Sequence, residues 1–388
     1  SDEYERRRPR TRRGGGVLPA KIVKIVYLST ARVPDEWAHV TQILKMCEAF
    51  AKAGNDVELV VPNRTGVKDV DPFAQARVAP IFKITKLPCV DLFPGTQSGF
   101  LYWLRTGTFL ASARRYLAKT SYDLLYTREP FAPGDLSKTV FELHAMNSVR
   151  HALNALRGSC GVVAITNGLK EDLVASGLTR ERIHVAPDAV DLDDFANPES
   201  KAAARTRLGV PQDKKAAFYI GILDPWKGTD TLYAAAKLLS PDIQTVVIGG
   251  FDGEEQALIP LHPEVQFLGY RPYTELPGNQ QAADVLVLPN SGKEVLSAKY
   301  TSPLKLFTYM ASGVPIVASD LPSLREILSE QNAYLVPADT PEALAQGIEE
   351  ALAHPEEAKV RAVQARADVQ EYTWEKRAQK ILSSLISV

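Results

Sequence analysis

The sequence predicts an α/β protein built from two Rossmann-like domains that face each other across a cleft. Apolar, β-branched runs of strand length alternate with helical patterns from about residue 21 onwards, which is typical of parallel sheets with right-handed crossovers. A polar, charge-rich stretch near residue 200 interrupts this alternation. The 388 residues are enough for two domains with complete cores.

The first predicted domain, residues 21–200, opens with a β-α-β unit. The run "KIVKIVYLST" predicts a strand, "AHVTQILKMCEAFAKAG" predicts a helix that ends at Gly54, and "DVELVVP" predicts the next strand. The order of apolar strand, loop and helix recurs in "LLYTREP", "TVFELHAM" and "GVVAITNGLKEDLVASG", and "RIHVAPDAV" adds a further strand. These segments predict one parallel sheet.

The second predicted domain, residues 201–370, repeats the same alternation. Its strands are predicted at "KAAFYIGIL", "IQTVVIGG", "VQFLGY", "ADVLVLPN" and "VPIVASD". The helices "TPEALAQGIEEALAH" and "EKRAQKILSSLISV" close the chain. Residues 371–388 are expected to form a C-terminal helix that can cross back to the first domain.

Charge and hydropathy narrow the function classes and the expected location. The net charge of -1 gives no field that would gather nucleic acid, although residues 1–20 are rich in arginine and are expected to be a disordered tail. This tail has neither an apolar core nor a cleavage-like site, so we expect no secretory signal, and an anionic membrane surface could attract it. No apolar run has membrane-spanning length, and three separated cysteines fit a reducing compartment. We therefore expect a cytoplasmic protein with a possible peripheral contact at the inner membrane surface.

Open α/β sheets bind ligands beyond the carboxyl ends of their strands, which directs attention to the loops of the second domain. "YIGILDPWKGTDTL" places Gly221 at a strand end and Lys227 just before a helix, where a lysine can face an anion or simply be solvated. Gly249 and Gly250 end the next strand and permit either a tight turn or a close ligand. Gly269 and Tyr270 follow another strand, where Tyr270 can either pack or hold a nucleobase.

A helix near residue 303 is the second candidate for anion binding. Ser302 is predicted to be its N-cap and Pro303 its first residue, with an end at Gly313. Its free backbone amides, together with Lys227, would form a pocket for a diphosphate. A well-capped helix without a ligand is the alternative.

Other motif classes are absent from the sequence. No G-x-x-x-x-G-K-[ST] loop occurs, and no G-x-G-x-x-G follows the first strand, which disfavours kinases, NTPases and dehydrogenases. The acidic run "DLDDF" has generic spacing and predicts a surface turn rather than a metal site.

These motifs together carry a family resemblance. "GILDPWKGTDTL", "VIGG", "FLGY", "LPNSGKE" and "YTSPLKLFTYMASGVPIVASDLPSLREIL" resemble the retaining glycosyltransferases of the group 1 (glycosyltransferase family 4-like) family, which have the GT-B fold. In the first domain, "KIVYLSTARVPDEWAHVTQILKMCEAFAKAGNDVELVVP" and "YTREPF" resemble the acceptor half. The resemblance runs in order from about residue 21 to 385.

The resemblance implies roles for individual residues. It implies that Lys227 neutralises the donor diphosphate and that His144 orients the transferred sugar, as the two catalytic residues. The implied donor-binding residues are Gly221, Lys227, Gly249, Gly250, Gly269, Tyr270, Ser302, Pro303, Leu304, Lys305 and Thr308. Arg128 and Glu129 are implied on the acceptor side.

The sequence also departs from the family pattern. Relatives usually carry a glutamate that binds the ribose where this chain has Thr308, an acidic residue where it has Tyr300, and an arginine where it has Ile222. Loss of a charge-assisted bond to ribose would cost roughly 1.5–3 kcal/mol, or about ten- to a hundredfold in affinity. Thr308 itself or Glu294 could replace part of this contact. Natural divergence and deliberate replacement at position 308 both remain open.

The resemblance implies a metal-independent hexosyltransferase of polysaccharide biosynthesis that works with retention and without a cofactor. Its donor would be a UDP or GDP sugar, its acceptor a saccharide or a lipid-linked molecule, and the departing phosphate oxygen its base. A nucleotide-sugar 2-epimerase is disfavoured because the six histidines show little clustering. The alternative from another class is a catalytically impaired homologue that binds a nucleotide sugar or acts as a scaffold in glycan assembly. The oligomeric state is left open.

Overall fold

A computed structural model describes residues 22–66, 69–92, 99–147 and 149–386. The predicted arginine-rich tail, residues 1–20, lies outside the described residues. Two parallel sheets, each flanked by helices, form the described part of the chain. The predicted α/β architecture of two Rossmann-like domains is therefore confirmed.

The first sheet has the order β3-β2-β1-β4-β5-β6-β7, and its strands pair in parallel. Its strands are β1 (Lys24–Leu28), β2 (Asp56–Asn63), β3 (Lys83–Pro88), β4 (Leu124–Thr127), β5 (Thr139–Leu143), β6 (Gly161–Ala164) and β7 (Ile183–Val185). Its helices are α1 (Ala38–Lys52), α2 (Pro72–Ala76), α3 (Gly99–Leu117), α4 (Val149–Gly158) and α5 (Asn167–Ala175). The strand order reverses between β1 and β4, and such a switch point opens a crevice for ligands.

The second sheet has the order β10-β9-β8-β11-β12-β13 and is also parallel. Its strands are β8 (Lys215–Ile220), β9 (Ile243–Ile248), β10 (Val265–Phe267), β11 (Val285–Leu288), β12 (Ile316–Ser319) and β13 (Tyr334–Val336). Its helices are α6 (Lys201–Leu208), α7 (Thr229–Ala236), α8 (Glu255–Leu258), α9 (Leu276–Gln281), α10 (Leu304–Ser312), α11 (Pro322–Arg325), α12 (Pro341–Ala353) and α13 (Pro355–Asp368). A C-terminal helix, α14 (Trp374–Ile386), follows them. A π-helical turn, Leu296–Tyr300, precedes α10.

Strand burial follows from the layered arrangement. Strands β4, β5, β6, β11 and β12 are buried along their whole length, because helices cover both faces of each sheet. This explains why these segments are continuous apolar runs instead of alternating patterns. The loops at the carboxyl ends of the strands are left to form the cleft.

Helix α10 begins differently from the prediction. The prediction that Ser302 caps the helix is wrong, because the helix begins at Leu304 and the extended Pro303 (ψ 130°) occupies the cap position without a side-chain cap. The Ser302 hydroxyl instead accepts a hydrogen bond from the backbone N–H of Asp188, at 2.9 Å. The helix ends at Gly313 (φ +72°), where the left-handed conformation suits glycine.

The C-terminal helix α14 packs on the first sheet rather than the second. Trp374, Ala378 and Ile381 are buried in the same apolar cluster as residues of β1 and α1. Its Arg377 also reaches the loop after β7, where Nε donates to the carbonyl oxygen of Pro187 at 2.7 Å. The end of the chain thus contributes to the core beneath the cleft. Among the described helices, none is long and apolar enough to cross a membrane.

Candidate functional site

A cavity of about 510 Å³ lies between the carboxyl ends of the two sheets. The predicted site residues that line it are Arg128, His144, Gly221, Lys227, Gly249, Gly250, Tyr270, Ser302, Pro303, Leu304, Lys305 and Thr308. Gly269 is not among the lining residues, and its carbonyl accepts the N–H of Gly249 at 3.0 Å. Glu129 lines an adjoining cavity instead. Both domains therefore contribute to one site.

Lys227 is buried in a short turn after β8. Asp224 caps this turn by accepting the N–H of Trp226 at 3.2 Å. The Lys227 Nζ lies 3.5 Å from the centre of the Trp226 ring. Gly228 (φ +77°) completes the turn, and a side chain there would collide with the carbonyl oxygen of Pro289. Burial lowers the pKa of Lys227 to about 7, which makes its charged form costly without an anion.

Lys305, in the first turn of α10, is a second buried ammonium beside Lys227. Its Nζ lies 3.9 Å from the centre of the Tyr219 ring and has no hydrogen-bond partner among the described residues. Burial, and then the positive charge of Lys227, hold its pKa well below the usual value. Gly221 leaves the space for this ammonium, because a Cβ at that position would collide with it.

Neither of these two lysines forms an ion pair with a carboxylate of the described residues, although the nearby charges of Asp224 and Asp188 partly offset the effect of burial on the pKa of Lys227. Two neighbouring buried ammonium groups without an ion-pair partner are costly, unless a ligand supplies further negative charge. The start of α10 has no side-chain cap and adds partial positive charge at the same place. This part of the cavity is suited to a diphosphate.

Thr308 faces the cavity from the next turn of α10, but its hydroxyl already has partners. Oγ1 accepts a hydrogen bond from Gln280 Nε2 at 3.0 Å and donates to the carbonyl oxygen of Lys305 at 3.1 Å. Tyr300, which also lines the cavity, donates its hydroxyl to Asp172 at 2.5 Å. Glu294 is exposed and is not among the lining residues.

Three aromatic rings join the domains at the cavity. Trp37 from the first domain lies 4.9 Å from Phe251, and Phe251 lies 5.1 Å from Tyr270, measured between ring centres. All three line the cavity. Such a wall can hold a flat ring by stacking.

His144 follows β5 and is held by Glu142. The sequence prediction did not identify Glu142 as a site residue. His144 Nε2 lies 2.7 Å from the Glu142 carboxylate. Burial, and then the charge of Arg128, lower the pKa of His144 to about 4, so the ring is neutral near pH 7. Because Glu142 accepts at Nε2, the neutral ring carries its proton there and leaves Nδ1 as an acceptor.

Glu142 is fully buried, and three residues besides His144 hold it. Burial would raise its pKa, but the nearby guanidinium of Arg377, 2.9 Å away, and the hydrogen bond from His144 hold the pKa well below the usual range. Gln42 Nε2 donates to the same carboxylate at 2.6 Å, and the Tyr126 hydroxyl donates to its other oxygen. The carboxylate is therefore charged and fixed.

Asp188 is the other acidic group that the sequence prediction missed. It lines the cavity, and burial raises its pKa to about 6. Its Oδ1 has no hydrogen-bond partner among the described residues. An acidic residue within an otherwise apolar strand pattern, as in "FELH", is a sequence signal that could have identified Glu142. The loop that carries Asp188 shows no such signal.

In the described ranges, no group of three or more His, Cys, Asp or Glu side chains is arranged to hold a metal ion.

Two family models match the two halves of the chain. Residues 39–194 match the model described as Glycosyltransferase Family 4, and residues 214–354 match the one described as Glycosyl transferases group 1. The two parallel sheets that face each other across the cleft have the GT-B arrangement. The chain belongs to the group 1 (family 4-like) glycosyltransferases.

Curated relatives cover most of the chain. It is 28% identical to a D-inositol 3-phosphate glycosyltransferase of Xylanimonas cellulosilytica, over 88% of this chain and 89% of the relative. It is 26% identical to a phosphatidyl-myo-inositol mannosyltransferase of Mycobacterium tuberculosis, over 88% of this chain and 91% of the relative.

Solved structures share the fold. A sucrose-phosphate synthase from Thermosynechococcus elongatus superposes with a TM-score of 0.74 at 22% identity, over 94% of this chain and 98% of that one. The Anabaena protein HepE, in complex with UDP and glucose, superposes with a TM-score of 0.73 at 18% identity, over 94% of this chain and 100% of that one. These similarities confirm the GT-B fold that the sequence predicts.

Proposed function

We propose that this protein is a retaining, metal-independent glycosyltransferase that moves a sugar from a UDP or GDP sugar to a saccharide or lipid-linked acceptor. The observation that carries the proposal is the pair of buried amino groups of Lys227 and Lys305, neither of which forms an ion pair with a carboxylate among the described residues. A nucleoside diphosphate supplies the charge that this pair lacks. The HepE complex contains UDP, which supports this class of donor.

Each part of the cavity would take one part of the donor. The two lysines and the start of α10 would hold the diphosphate, and Gly221, Gly249 and Gly250 would leave space beside it. Tyr270 would stack on the nucleobase, and position 308 would face the ribose. In this proposal residues 201–370 form the donor domain, residues 21–200 the acceptor domain, and residues 371–388 the closing helix.

The proposed mechanism is electrostatic. Negative charge grows on the diphosphate as the glycosidic bond breaks, and preorganised cations stabilise that charge. A phosphate oxygen of the departing group takes the proton of the acceptor hydroxyl. His144, neutral and fixed by Glu142, would orient the sugar, and closure of the two domains would exclude water.

The proposal also covers acceptor and location. The relatives named above act on D-inositol 3-phosphate and phosphatidyl-myo-inositol, which supports a polar or lipid-linked acceptor for this chain. Arg128 and Glu129 would lie on the acceptor side. We further propose a cytoplasmic location with contact at the inner membrane surface.

A second candidate is a catalytically impaired homologue that binds a nucleotide sugar. The specific observation in its favour is that the hydroxyls of Thr308 and Tyr300 are both engaged by protein groups, namely Gln280 and Asp172. Position 308 therefore offers the ribose a weaker partner than a carboxylate would.

A turnover assay separates the two candidates. The protein is incubated with UDP and GDP sugars and with D-inositol 3-phosphate as acceptor in the presence of EDTA. Release of the free nucleotide is measured, and the anomeric configuration of the transferred sugar in the product is read by NMR. Release with retained configuration is expected. Nucleotide binding without release would favour the impaired homologue, and an inverted product or an EDTA-sensitive reaction would refute the proposed mechanism.

A further inference from the structure

Helix α5 of the first domain meets the second domain at its first turn. The carboxylate of Glu326, the residue after α11, accepts the backbone N–H groups of Asn167 at 2.8 Å and Gly168 at 3.0 Å. It also accepts the side-chain amide of Asn167 at 3.0 Å. The free amides at the start of a helix carry partial positive charge, which a carboxylate stabilises. The second domain therefore satisfies two of the first amides of a helix in the first domain.

The π-helical turn before α10 forms the other half of this contact. Its Lys299 carbonyl oxygen accepts the hydroxyl of Thr166 at 2.9 Å. The same carbonyl oxygen would lie only 2.6 Å from a Cβ at position 168, so Gly168 permits the close approach. One turn further along α5, Asp172 accepts the hydroxyl of Tyr300 at 2.5 Å. The contact thus joins backbone and side-chain groups of both domains.

Tyr300 belongs to the second domain but packs in the core of the first. It is 8% exposed and lies in an apolar cluster whose other buried members, among the described residues, fall between residues 141 and 183. The π-helical turn is anchored in its own domain by Ser323, whose hydroxyl donates to the carbonyl oxygen of Ser297 at 2.8 Å. The turn therefore connects the two domains.

This contact borders the proposed donor cavity. Leu296 and Tyr300 of the π-helical turn line the cavity, as does Ile165 just before α5. Another part of the cavity wall is also an interdomain contact, because Trp37 and Phe251 lie 4.9 Å apart between ring centres. Separation of α5 from the π-helical turn would therefore open the cavity wall to water.

We propose that docking of α5 on the π-helical turn and on Glu326 holds the cleft closed, so that Asp172 and Glu326 are positioning residues. Both carboxylates are partly exposed, so water can replace each hydrogen-bond partner when the domains separate. The contact can therefore open and re-form during a reaction cycle. Its effect on sugar transfer rests on the proposed glycosyltransferase function, whereas its effect on closure does not.

Small-angle X-ray scattering of the full chain, with and without UDP or GDP, measures closure independently of activity. The double variant Asp172→Asn with Glu326→Gln keeps the size of both side chains and removes both charges. It should shift the domains towards an open arrangement at least about tenfold and raise the radius of gyration. The matched control is Glu171→Gln with Glu330→Gln, since these exposed carboxylates pair with arginines of their own domains. The control should scatter like the parent.

A steric variant tests the same contact by a different route. Gly168→Ala places a methyl group against the Lys299 carbonyl oxygen of the other domain, and alanine favours the helix that carries it. It should open the cleft although every charge remains. Tyr300→Phe removes only the hydroxyl, so it should add little in the Asp172→Asn background. Circular dichroism and urea unfolding check that each variant is folded.

Kinetic measurements separate closure from nucleotide binding. The lysines proposed to hold the diphosphate lie in the second domain, so nucleotide affinity in the open variants should change less than about twofold. Turnover with acceptor present should fall about tenfold, because the closed arrangement is less populated. Hydrolysis of the donor should account for a larger share of nucleotide release, because water enters the open cleft.

A radius of gyration equal to that of the parent in both the double variant and Gly168→Ala would overturn the proposal. An equal increase in the matched control would also overturn it, because general surface charge would then explain the change. Nucleotide affinity that falls in parallel with turnover, at unchanged scattering, would indicate local packing of the cavity wall and contradict the closing role. Open variants of a protein that shows no turnover with any donor would support the closing contact and refute the glycosyltransferase function instead.

Discussion

The buried ion pair between Arg377 and Glu142 makes the stability of the first domain depend on the C-terminal helix. The side chains of Arg377 and Glu142 are 2% and 0% exposed. Replacement Arg377→Met removes the guanidinium and keeps a side chain of similar length. Glu142 then remains a buried carboxylate whose hydrogen-bond partners, Gln42, Tyr126 and His144, are neutral. The nearby charge of Arg128 still lowers its pKa, but Arg128 is a smaller influence than Arg377.

The expected loss of stability is large. Removing one member of a buried ion pair costs about 3–5 kcal/mol, because the remaining charge stays desolvated. That figure includes the lost bonds from Arg377 to the carbonyl oxygens of Pro187 (2.7 Å) and Ala186 (3.2 Å), each worth roughly 1 kcal/mol. The double variant Arg377→Met with Glu142→Gln should recover a large part of this loss, because no buried charge then remains.

Urea unfolding at pH 7.5, followed by circular dichroism, measures the loss of stability. The exposed change Lys380→Met on the same helix is the control.

The pH dependence of this loss of stability has a definite sign. The pKa of Glu142 is held low in the folded protein, so its stabilising contribution is present above the unfolded value near 4.5 and is lost as the pH falls through the folded value. Without Arg377 the folded pKa rises, so the difference between variant and parent should shrink at low pH. A loss below about 1 kcal/mol at pH 7.5, or a difference that grows at low pH, would refute this reasoning.

Three further predictions concern the proposed donor site. Because burial holds the pKa of Lys227 at about 7, binding of a diphosphate at pH 8.5 should take up protons, which calorimetry in two buffers of different ionisation enthalpy detects; no uptake would contradict it. Thr308→Glu should tighten nucleotide binding about tenfold relative to Thr308→Gln if position 308 faces the ribose, and unchanged affinity in a titration would place the ribose elsewhere. Gly221→Ala should weaken nucleotide binding at least about tenfold because its Cβ collides with the Lys305 ammonium, whereas affinity equal to that of the parent would show that the ammonium position is unimportant.

The sequence was sufficient for those parts of the fold and site that depend on local pattern. Alternating strands and helices predicted both sheets, since parallel strands buried on two faces are continuous apolar runs. Lys227 was predicted because a strand, a short turn and a helix fix its position along the chain. The sheets and the position of Lys227 are therefore determined by residues that are close together in the sequence.

The remainder depended on contacts that no local pattern encodes. Glu142 and Arg377 are 235 positions apart, so their pairing is invisible in the sequence. The position of the Lys305 ammonium over the ring of Tyr219 brings helix α10 against strand β8, more than eighty residues earlier. Ser302 failed as a cap because the backbone N–H of Asp188, more than a hundred residues earlier, uses its hydroxyl.

The central claim is that Lys227 and Lys305 form a diphosphate site. Titration of UDP and GDP into the protein, into Lys305→Gln and into the exposed control Lys359→Gln tests it most directly. We predict that one nucleotide binds, that Lys305→Gln weakens it at least about tenfold, and that the control does not. No binding by either nucleotide, or equal affinity in all three proteins, would contradict the claim.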